Sequence, residues 1–105
     1  MLNNPEDQKL VTLAQATLKR SGAKQAAALR DNTGRTYVAV PVDSTSLALD
    51  AVEAVFTVAM ASQISGIEAV VFTGEQKAKT TVITEFAPSA AIFFANDGAE
   101  PDKIA

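Results

Sequence analysis

The side chains available for chemistry in this sequence are carboxylates, lysines, hydroxyls and one tyrosine, Tyr37, because its 105 residues include no His and no Cys. Histidine is the usual general base near neutral pH and a common metal ligand, and cysteine supplies thiolate nucleophiles and zinc ligands. A Ser-His-Asp or Cys-His mechanism is therefore excluded, and so are disulfide bonds. Any catalysis has to use carboxylates, lysines, Tyr37, hydroxyls or backbone groups.

Glu53 is the carboxylate whose setting most resembles a reactive one. It lies in the apolar stretch TSLALDAVEAVFTVAMAS, Thr45 to Ser62, in which Asp50 is the only other charged residue. A carboxylate held in apolar surroundings can act as a general acid or base. The structural alternative is a carboxylate in the first turn of a helix, stabilised with Asp50 by the positive end of the helix dipole.

Polar residues flank this stretch on both sides. Asp43, Ser44 and Thr45 are candidate N-caps for the helix that follows, and we expect them to be caps. Lys77 and Lys79 would attract an anionic ligand, but two lysines on an exposed connection are more often a solvated surface.

The N-terminal segment predicts an amphipathic helix. Asn4 is a capping residue, Pro5 suits the first helical position, and apolar residues then recur at helical spacing to about Arg20. After a Ser-Gly stop, small residues at 25–30 and the alternating residues of 36–42 predict a β-hairpin. Pro41 cannot donate a ladder hydrogen bond, so we expect it at the end of a strand, on an edge or at a bulge.

The central stretch predicts a helix from about Thr45 to Ser65-Gly66 that is apolar on nearly every side. Val52, Val55 and Ala59 share one flank by their spacing, and a second flank carries Leu49, Phe56 and Met60. A sheet covers one flank only. The other flank requires the N-terminal helix or a second subunit, and we expect a homo-oligomer.

Two further strands are predicted at Ile67–Gly74 and at 90–97, separated by a segment at 75–89 that we expect to be short and irregularly helical. Residues 99–105 lack periodicity and are expected to be loosely held. The order of elements predicts one α/β domain over residues 1–105, with a mixed β-sheet and helices on its faces.

Charge and hydropathy limit the possible partners. The net charge is −3 and the basic residues are scattered, which argues against nucleic acid as a partner. The N-terminus lacks the features of a signal peptide, and no apolar run reaches the ~20 residues that span a bilayer. We therefore expect a cytoplasmic protein without a membrane partner.

The block GRTYVAVPVDSTSLALDAVEAVFTVAMAS, followed by IEAVVFTGE and TEFAPSAAIFFANDG, resembles the cytidine deaminase family in the order and spacing of its parts. The resemblance covers about residues 9–98 and implies a cytidine deaminase-like three-layer sandwich. Members of that family hold Zn²⁺ with one His or Cys and a Cys pair, and a Glu moves protons for the metal-bound water. Their loop of Glu-Asn-Ala-Ser type touches the ribose, and here Asp43-Ser44-Thr45 matches it; the resemblance therefore implies that Asp43, Ser44 and Thr45 bind a ligand hydroxyl, as the alternative to capping the helix.

The sequence departs from the family at the zinc ligands. The resemblance assigns the Cys pair to Gln76 and Lys79, and the first ligand to Ala51 or Val52. None of these side chains can replace a thiolate or an imidazole. With a one-residue gap in the alignment, Glu53 takes the place of the catalytic glutamate; without the gap, Ala54 does.

The sequence thus predicts a catalytically inactive cytidine deaminase-like protein without metal or cofactor. It would act as an interaction or binding protein for a nucleoside-like small molecule, or as a structural homo-oligomer whose old pocket is filled by groups such as Val52. The alternative is an enzyme: a family hydrolase acting on a nucleoside, or a metal-independent hydrolase that uses Glu53 and Tyr37.

Overall fold

The computed structural model describes residues 4–96 and 100–105. Within those residues the elements follow in the order α1 Pro5–Ser21, β1 Gln25–Asp31, β2 Thr36–Ala39, β3 Val42–Asp43, β4 Ala48–Leu49, α2 Ala51–Ala61, β5 Ile67–Gly74, α3 Thr81–Phe86, β6 Ala91–Ala95 and β7 Asp102–Lys103. No helix in this described part of the chain combines the length and the apolar character needed to cross a bilayer.

Helix α1 begins and ends close to where its sequence signals predict. The Asn4 side chain accepts a hydrogen bond from the Glu6 backbone N–H at 2.9 Å. At the other end Gly22 adopts a left-handed conformation, with φ of 69°, and its N–H donates to the Leu18 carbonyl. The helix therefore ends at Ser21, one residue beyond the predicted Arg20, because the glycine takes the C-terminal capping position.

The main sheet has five strands in the order β2-β1-β5-β6-β7. Strand β1 pairs antiparallel with both β2 and β5, whereas β5 and β6 are parallel. A parallel pair needs a crossover connection, and here α3 lies in it. The predicted mixed α/β sheet and the short helix in the segment 75–89 are both confirmed.

Helices cover both faces of the sheet and give the predicted three layers. All seven residues of β1 are buried. Ala28 packs with α1 in one apolar cluster, and Ala27 and Leu29 pack with α2 and α3 in the other. Because α1 lies on the opposite side of the sheet, it does not cover the outer flank of α2.

The start of α2 differs from the prediction. Strand β2 ends at Ala39, and after Pro41 the chain forms a small separate hairpin, β3–β4, before α2 begins at Ala51. Asp50 is the N-cap, so the expectation that Asp43, Ser44 and Thr45 would cap a longer helix is wrong. Ser44 Oγ instead accepts from the Leu47 N–H at 3.1 Å and donates to the Leu47 carbonyl at 2.9 Å. Such local side-chain bonds favour a turn over a helix.

The C-terminal segment also differs from the prediction. Residues 99–105 were expected to be loosely held, but Asp102 and Lys103 pair with β6 as an edge strand. The Ile104 N–H donates to the Ile92 carbonyl at 2.7 Å, and the Ile92 N–H donates to the Ala105 carbonyl at 3.0 Å. This pairing satisfies backbone groups of β6 that an open edge would leave without partners. Ala99 and the predicted strand end at Asp97 lie outside the described residues.

Candidate functional site

A cleft of about 530 Å³ opens between the start of α2, the β3–β4 hairpin and the segment 75–79. Its lining is more apolar than polar, with Val42, Leu49 and Ala78 among the apolar groups. The cleft lies where the sequence places the candidate chemistry, since Glu53 projects from the first turn of α2 and Lys77 and Lys79 from the facing segment.

The turn after β5 sets the direction of that facing segment. Gly74 has φ of 95°, a conformation that side chains rarely adopt, and a Cβ there would collide with the Lys24 carbonyl oxygen. The same carbonyl accepts a hydrogen bond from the Glu75 N–H at 2.9 Å. Glycine at this position therefore lets the segment 75–79 leave the sheet against the start of β1 and form one wall of the cleft.

Gln25, the first residue of β1, lies beneath the cleft and is only 1% exposed. Its Nε2 group donates to the carbonyls of Glu75 at 2.7 Å and Lys77 at 3.0 Å. Its Oε1 atom accepts from the Ala51 N–H at 2.8 Å. The partners fix the orientation of the amide, because two are acceptors and one is a donor.

Asp50 and Glu53 form a capping box at the start of α2. Asp50 Oδ1 accepts from the Glu53 N–H at 2.9 Å, and Glu53 Oε1 accepts from the Asp50 N–H at 3.1 Å. The second oxygen of Asp50 accepts from the Lys79 N–H at 2.7 Å, at the mouth of the cleft. Glu53 thus lies in the first turn of α2, as its structural interpretation predicts, and one of its oxygens is engaged by the cap.

The three residues predicted to contact a ligand are separated by the β3–β4 hairpin. Asp43 lines the cleft together with Glu53. Ser44 is engaged in the turn with Leu47, and Thr45 is exposed at the tip of the hairpin; neither is among the lining residues. The structure therefore brings Asp43 and Glu53 together and leaves Ser44 and Thr45 outside.

Tyr37 is far from the cleft. Its hydroxyl donates to Asp31 Oδ2 at 3.4 Å, at the end of β1 opposite to Gln25. Six residue steps along a strand correspond to about 20 Å. The structure therefore does not bring Glu53 and Tyr37 together in the cleft.

Asp31 organises the β1–β2 turn. Its Oδ1 atom accepts from the Thr33 N–H and hydroxyl at 2.9 and 2.7 Å and from the Arg35 N–H at 2.9 Å. Burial by itself raises the pKa of Asp31, but the hydrogen bonds from Thr33, Arg35 and Tyr37 outweigh it and hold the pKa below its ordinary value. This carboxylate therefore serves the fold at a distance from the cleft.

Arg30 is a second buried charge outside the cleft. It forms ion pairs with Glu68 at 2.8 Å and with Asp7 of α1 at 2.9 Å. Burial lowers the pKa of Arg30, but the two carboxylates outweigh it and raise the pKa above its ordinary value. The group ties α1 to the sheet on the face opposite to the cleft.

The positions that the resemblance assigns to zinc ligands do not fit the metal. They carry the hydrocarbon side chains of Ala51 and Val52, the carboxamide of Gln76 and the ammonium of Lys79. A tetrahedral zinc site needs thiolate, imidazole or carboxylate donors, and a cation beside the metal opposes binding. Among residues 4–96 and 100–105, no three His, Cys, Asp or Glu residues are grouped so that they could hold a metal ion.

Among the polar residues that the sequence did not point to are Lys24 and Glu75, which line the cleft, and Gln25, which joins its walls from beneath. The signal for Gln25 was its place at the head of the strand QAAALRD, whose other residues up to Leu29 are apolar. A polar side chain in a strand that is covered on both faces must find buried partners. Lys24 and Glu75 carried no comparable signal, because the turn that joins them depends on the pairing of β1 with β5.

Comparison with known proteins agrees with this architecture. The family model described as cytidine deaminase-like matches residues 3–99. The cytidine deaminase structure from Burkholderia pseudomallei superposes with a TM-score of 0.80 at 20% identity, covering 100% of this chain and 93% of that one. That from Mycobacterium leprae gives 0.71 at 18% identity, covering 98% and 94%. That from Bacillus anthracis gives 0.67 at 17% identity, covering 96% and 84%. At these identities the structures show the shared fold, and no curated protein sequence matches the chain significantly.

Proposed function

The chain belongs to the cytidine deaminase-like family, and we propose that within it this protein is a catalytically inactive member that binds a nucleoside-like small molecule as a cytoplasmic homo-oligomer. The open cleft at the start of α2 is the observation that carries the proposal. It combines an accessible binding space with side chains that do not fit zinc at the positions that the resemblance assigns to its ligands.

Binding is favoured over a filled pocket by the lining of the cleft. Val52, which was a candidate to fill the pocket, is turned into the core and fully buried. The apolar side chains of Val42 and Leu49 form a wall for a flat base, and Asp43 and Glu53 provide acceptors for hydroxyl groups. This pairing of an apolar wall with a few polar groups suits a nucleoside.

The chemistry of the same residues supports inactivity. In a zinc deaminase the metal lowers the pKa of its bound water from about 15.7 to near 7. At the start of α2 and in the segment 75–79 this chain has no thiolate or imidazole to hold such a metal. A carboxylate such as Glu53, half engaged in a helix cap, does not replace that activation.

Self-association is supported by the outer flank of α2. On the flank that carries Phe56 and Met60, Met60 is 39% exposed, and Phe56 is only partly covered, by Phe86 at 5.9 Å between ring centroids. Helix α1 packs on the other face of the sheet and leaves this flank available to a second copy. A symmetric pairing would bury the same flank on each partner.

Binding is tested by titrating cytidine and uridine into the purified protein, with ligand-observed NMR or calorimetry as the readout. We expect saturable binding that is lost in Ala48→Trp, because Ala48 lines the cleft and the indole would occupy it. Ala16→Trp, the same change at an exposed position of α1, is the matched control and should bind normally. Absence of nucleoside binding at millimolar concentrations, or equal binding by both variants, would contradict the proposal.

Activity and assembly need separate measurements. We expect no conversion of cytidine to uridine and no stoichiometric zinc by elemental analysis; about one zinc per chain with chelator-sensitive turnover would show an active enzyme instead.

Self-association is tested by light scattering, which should give a mass above the 11.0 kDa of one chain. Met60→Asp should lower that mass and Thr12→Asp on α1 should not. A monomeric wild type would refute self-association. An oligomer insensitive to Met60→Asp would refute the proposed surface.

A further inference from the structure

We infer that Gln25 and Asp50 form a metal-free cross-link that fixes the shape of the cleft by joining the start of α2 to the segment 75–79. In the family that this chain resembles, zinc ligands come from those same two elements. Here their side chains do not fit the metal, and two other side chains connect the elements by hydrogen bonds. This inference does not depend on which ligand enters the cleft.

Gln25 supplies the buried half of the cross-link. From β1 its amide reaches both walls, through one bond to the Ala51 N–H and two to the carbonyls of Glu75 and Lys77, all between 2.7 and 3.0 Å. At 1% exposure the amide has no access to water that could replace these partners. Loss of either wall would leave buried polar groups unsatisfied, which makes the geometry strongly preferred.

Asp50 supplies the second half at the mouth of the cleft. One carboxylate oxygen caps α2 through the Glu53 N–H at 2.9 Å, and the other accepts from the Lys79 N–H at 2.7 Å. Hydrogen bonds to a carboxylate are stronger than those between neutral groups. Asp50 therefore couples the first turn of α2 directly to residue 79, one of the positions that the resemblance assigns to a zinc ligand.

The cross-link has the same structural effect as a bound zinc ion, because it joins the two segments. A structural metal joins ligands from separate segments and contributes folding free energy when it binds. Here Ala51, Gln76 and Lys79, at the assigned ligand positions, lie at or beside the hydrogen bonds that Gln25 and Asp50 make. The fold around the cleft is thereby held without metal, while the chemical role of the metal is absent.

Asp50→Asn removes the hydrogen bond from the Lys79 N–H but keeps the N-cap of α2. Asn is about as good an N-cap as Asp, but with its oxygen at the Oδ1 position its NH2 group replaces Oδ2 and faces the Lys79 N–H, donor against donor. We expect amide hydrogen exchange, followed by NMR, to become at least about tenfold faster at Lys79 while it changes little at Glu53. Asp43→Asn, at an exposed position lining the same cleft, should change neither amide. Unchanged exchange at Lys79 in Asp50→Asn would overturn the role of Asp50.

Gln25 is tested by two variants of similar size. Gln25→Leu removes all three bonds and should lower the melting temperature by about 10 to 20 °C and speed exchange at Ala51. Gln25→Glu keeps an acceptor for the Ala51 N–H but cannot donate to two carbonyls, so it should spare Ala51 and perturb the backbone resonances of the segment 75–79. Gln76→Leu, at an exposed position of the same wall, is the control. If Gln25→Leu melts like this control and keeps the Ala51 amide protected, the inference is wrong.

The effect of metal on the melting temperature provides a test that is independent of the variants. A ligand that binds the native state raises its melting temperature in proportion to the logarithm of its concentration. With the cross-link as described, neither a chelator nor excess Zn²⁺ should move the wild-type melting temperature beyond experimental error. A rise with zinc that a chelator reverses would show that metal still joins these segments, and would overturn the inference even if the Gln25 variants behave as expected.

Discussion

Replacement of Glu53 by Gln distinguishes a capping carboxylate from a functional one. In the capping box the Glu53 side chain needs only an oxygen acceptor for the Asp50 N–H, at 3.1 Å, and the amide oxygen of Gln provides one. What Gln lacks is the negative charge near the positive end of α2. We therefore expect Glu53→Gln to fold normally with only a small loss of stability.

The cost of each substitution in the capping box can be worked out from the interactions that it removes. Loss of the charge at the start of α2 costs about 0.3 to 1 kcal/mol. Glu53→Ala also loses the hydrogen bond, a further ~0.5 to 1.5 kcal/mol, partly offset by the higher helix propensity of Ala. Asp50→Ala removes both the N-cap and the bond from Lys79, for a total of about 2 to 4 kcal/mol. The expected order of destabilisation is thus Asp50→Ala, then Glu53→Ala, then Glu53→Gln.

Urea unfolding at one fixed protein concentration measures the series, because an oligomer's stability depends on concentration. The dependence of the unfolding free energy on urea should keep the same slope in all variants. Glu85→Gln, an exposed carboxylate on α3, is the control and should stay within about 0.5 kcal/mol of wild type. A Glu53→Gln variant that equals Asp50→Ala in cost would refute the capping argument. One that folds normally but loses nucleoside binding would support the proposed role of Glu53 as an acceptor for ligand hydroxyl groups, in addition to its part in the cap.

Further predictions concern the turn at Gly74, the buried carboxylate of Asp31 and the exposed flank of α2 at Phe56. Gly74→Ala should cost about 2 to 4 kcal/mol in urea unfolding, from its positive φ and its collision with backbone, whereas Gly22→Ala, with open space around it, should cost about 1 to 2 kcal/mol. The lowered pKa of Asp31 means that its stabilisation is complete above the unfolded value of about 3.9 and is lost as the pH falls through the folded pKa. Asp31→Asn should therefore flatten the loss of stability below pH ~4, and an unchanged acid profile would contradict this. Phe56→Ala should lower the free energy of unfolding by about 2 to 3 kcal/mol. This is less than the cost for a fully buried Phe, because the Phe56 ring is partly exposed beside Phe86. A cost below about 0.5 kcal/mol would show that the contact between the two rings contributes nothing to stability.

Local signals in the sequence were sufficient to predict several parts of this structure. The α1 boundaries depend on Asn4, Pro5 and Gly22, whose effects act within a few residues, and the structure has the helix at Pro5–Ser21. The mixed sheet followed from the order of strand and helix patterns, since a parallel pair requires a crossover. The absence of His and Cys is a property of composition, and it already placed the zinc chemistry in doubt before any geometry was known.

The start of α2 and the cleft were decided by tertiary structure. Asp43, Ser44 and Asp50 are all good N-caps by residue type, and the choice of Asp50 depends on the β3–β4 hairpin and on the bond from Lys79, 29 residues away in sequence. Strand β7 exists because β6 offers unpaired backbone groups, which no periodicity in residues 100–105 reveals. Gln25 reaches partners 26 to 52 residues away, which only the folded sheet brings within hydrogen-bond distance. Patterns along a chain report interactions over one or two turns, whereas this cleft is built from contacts between segments that are distant in sequence.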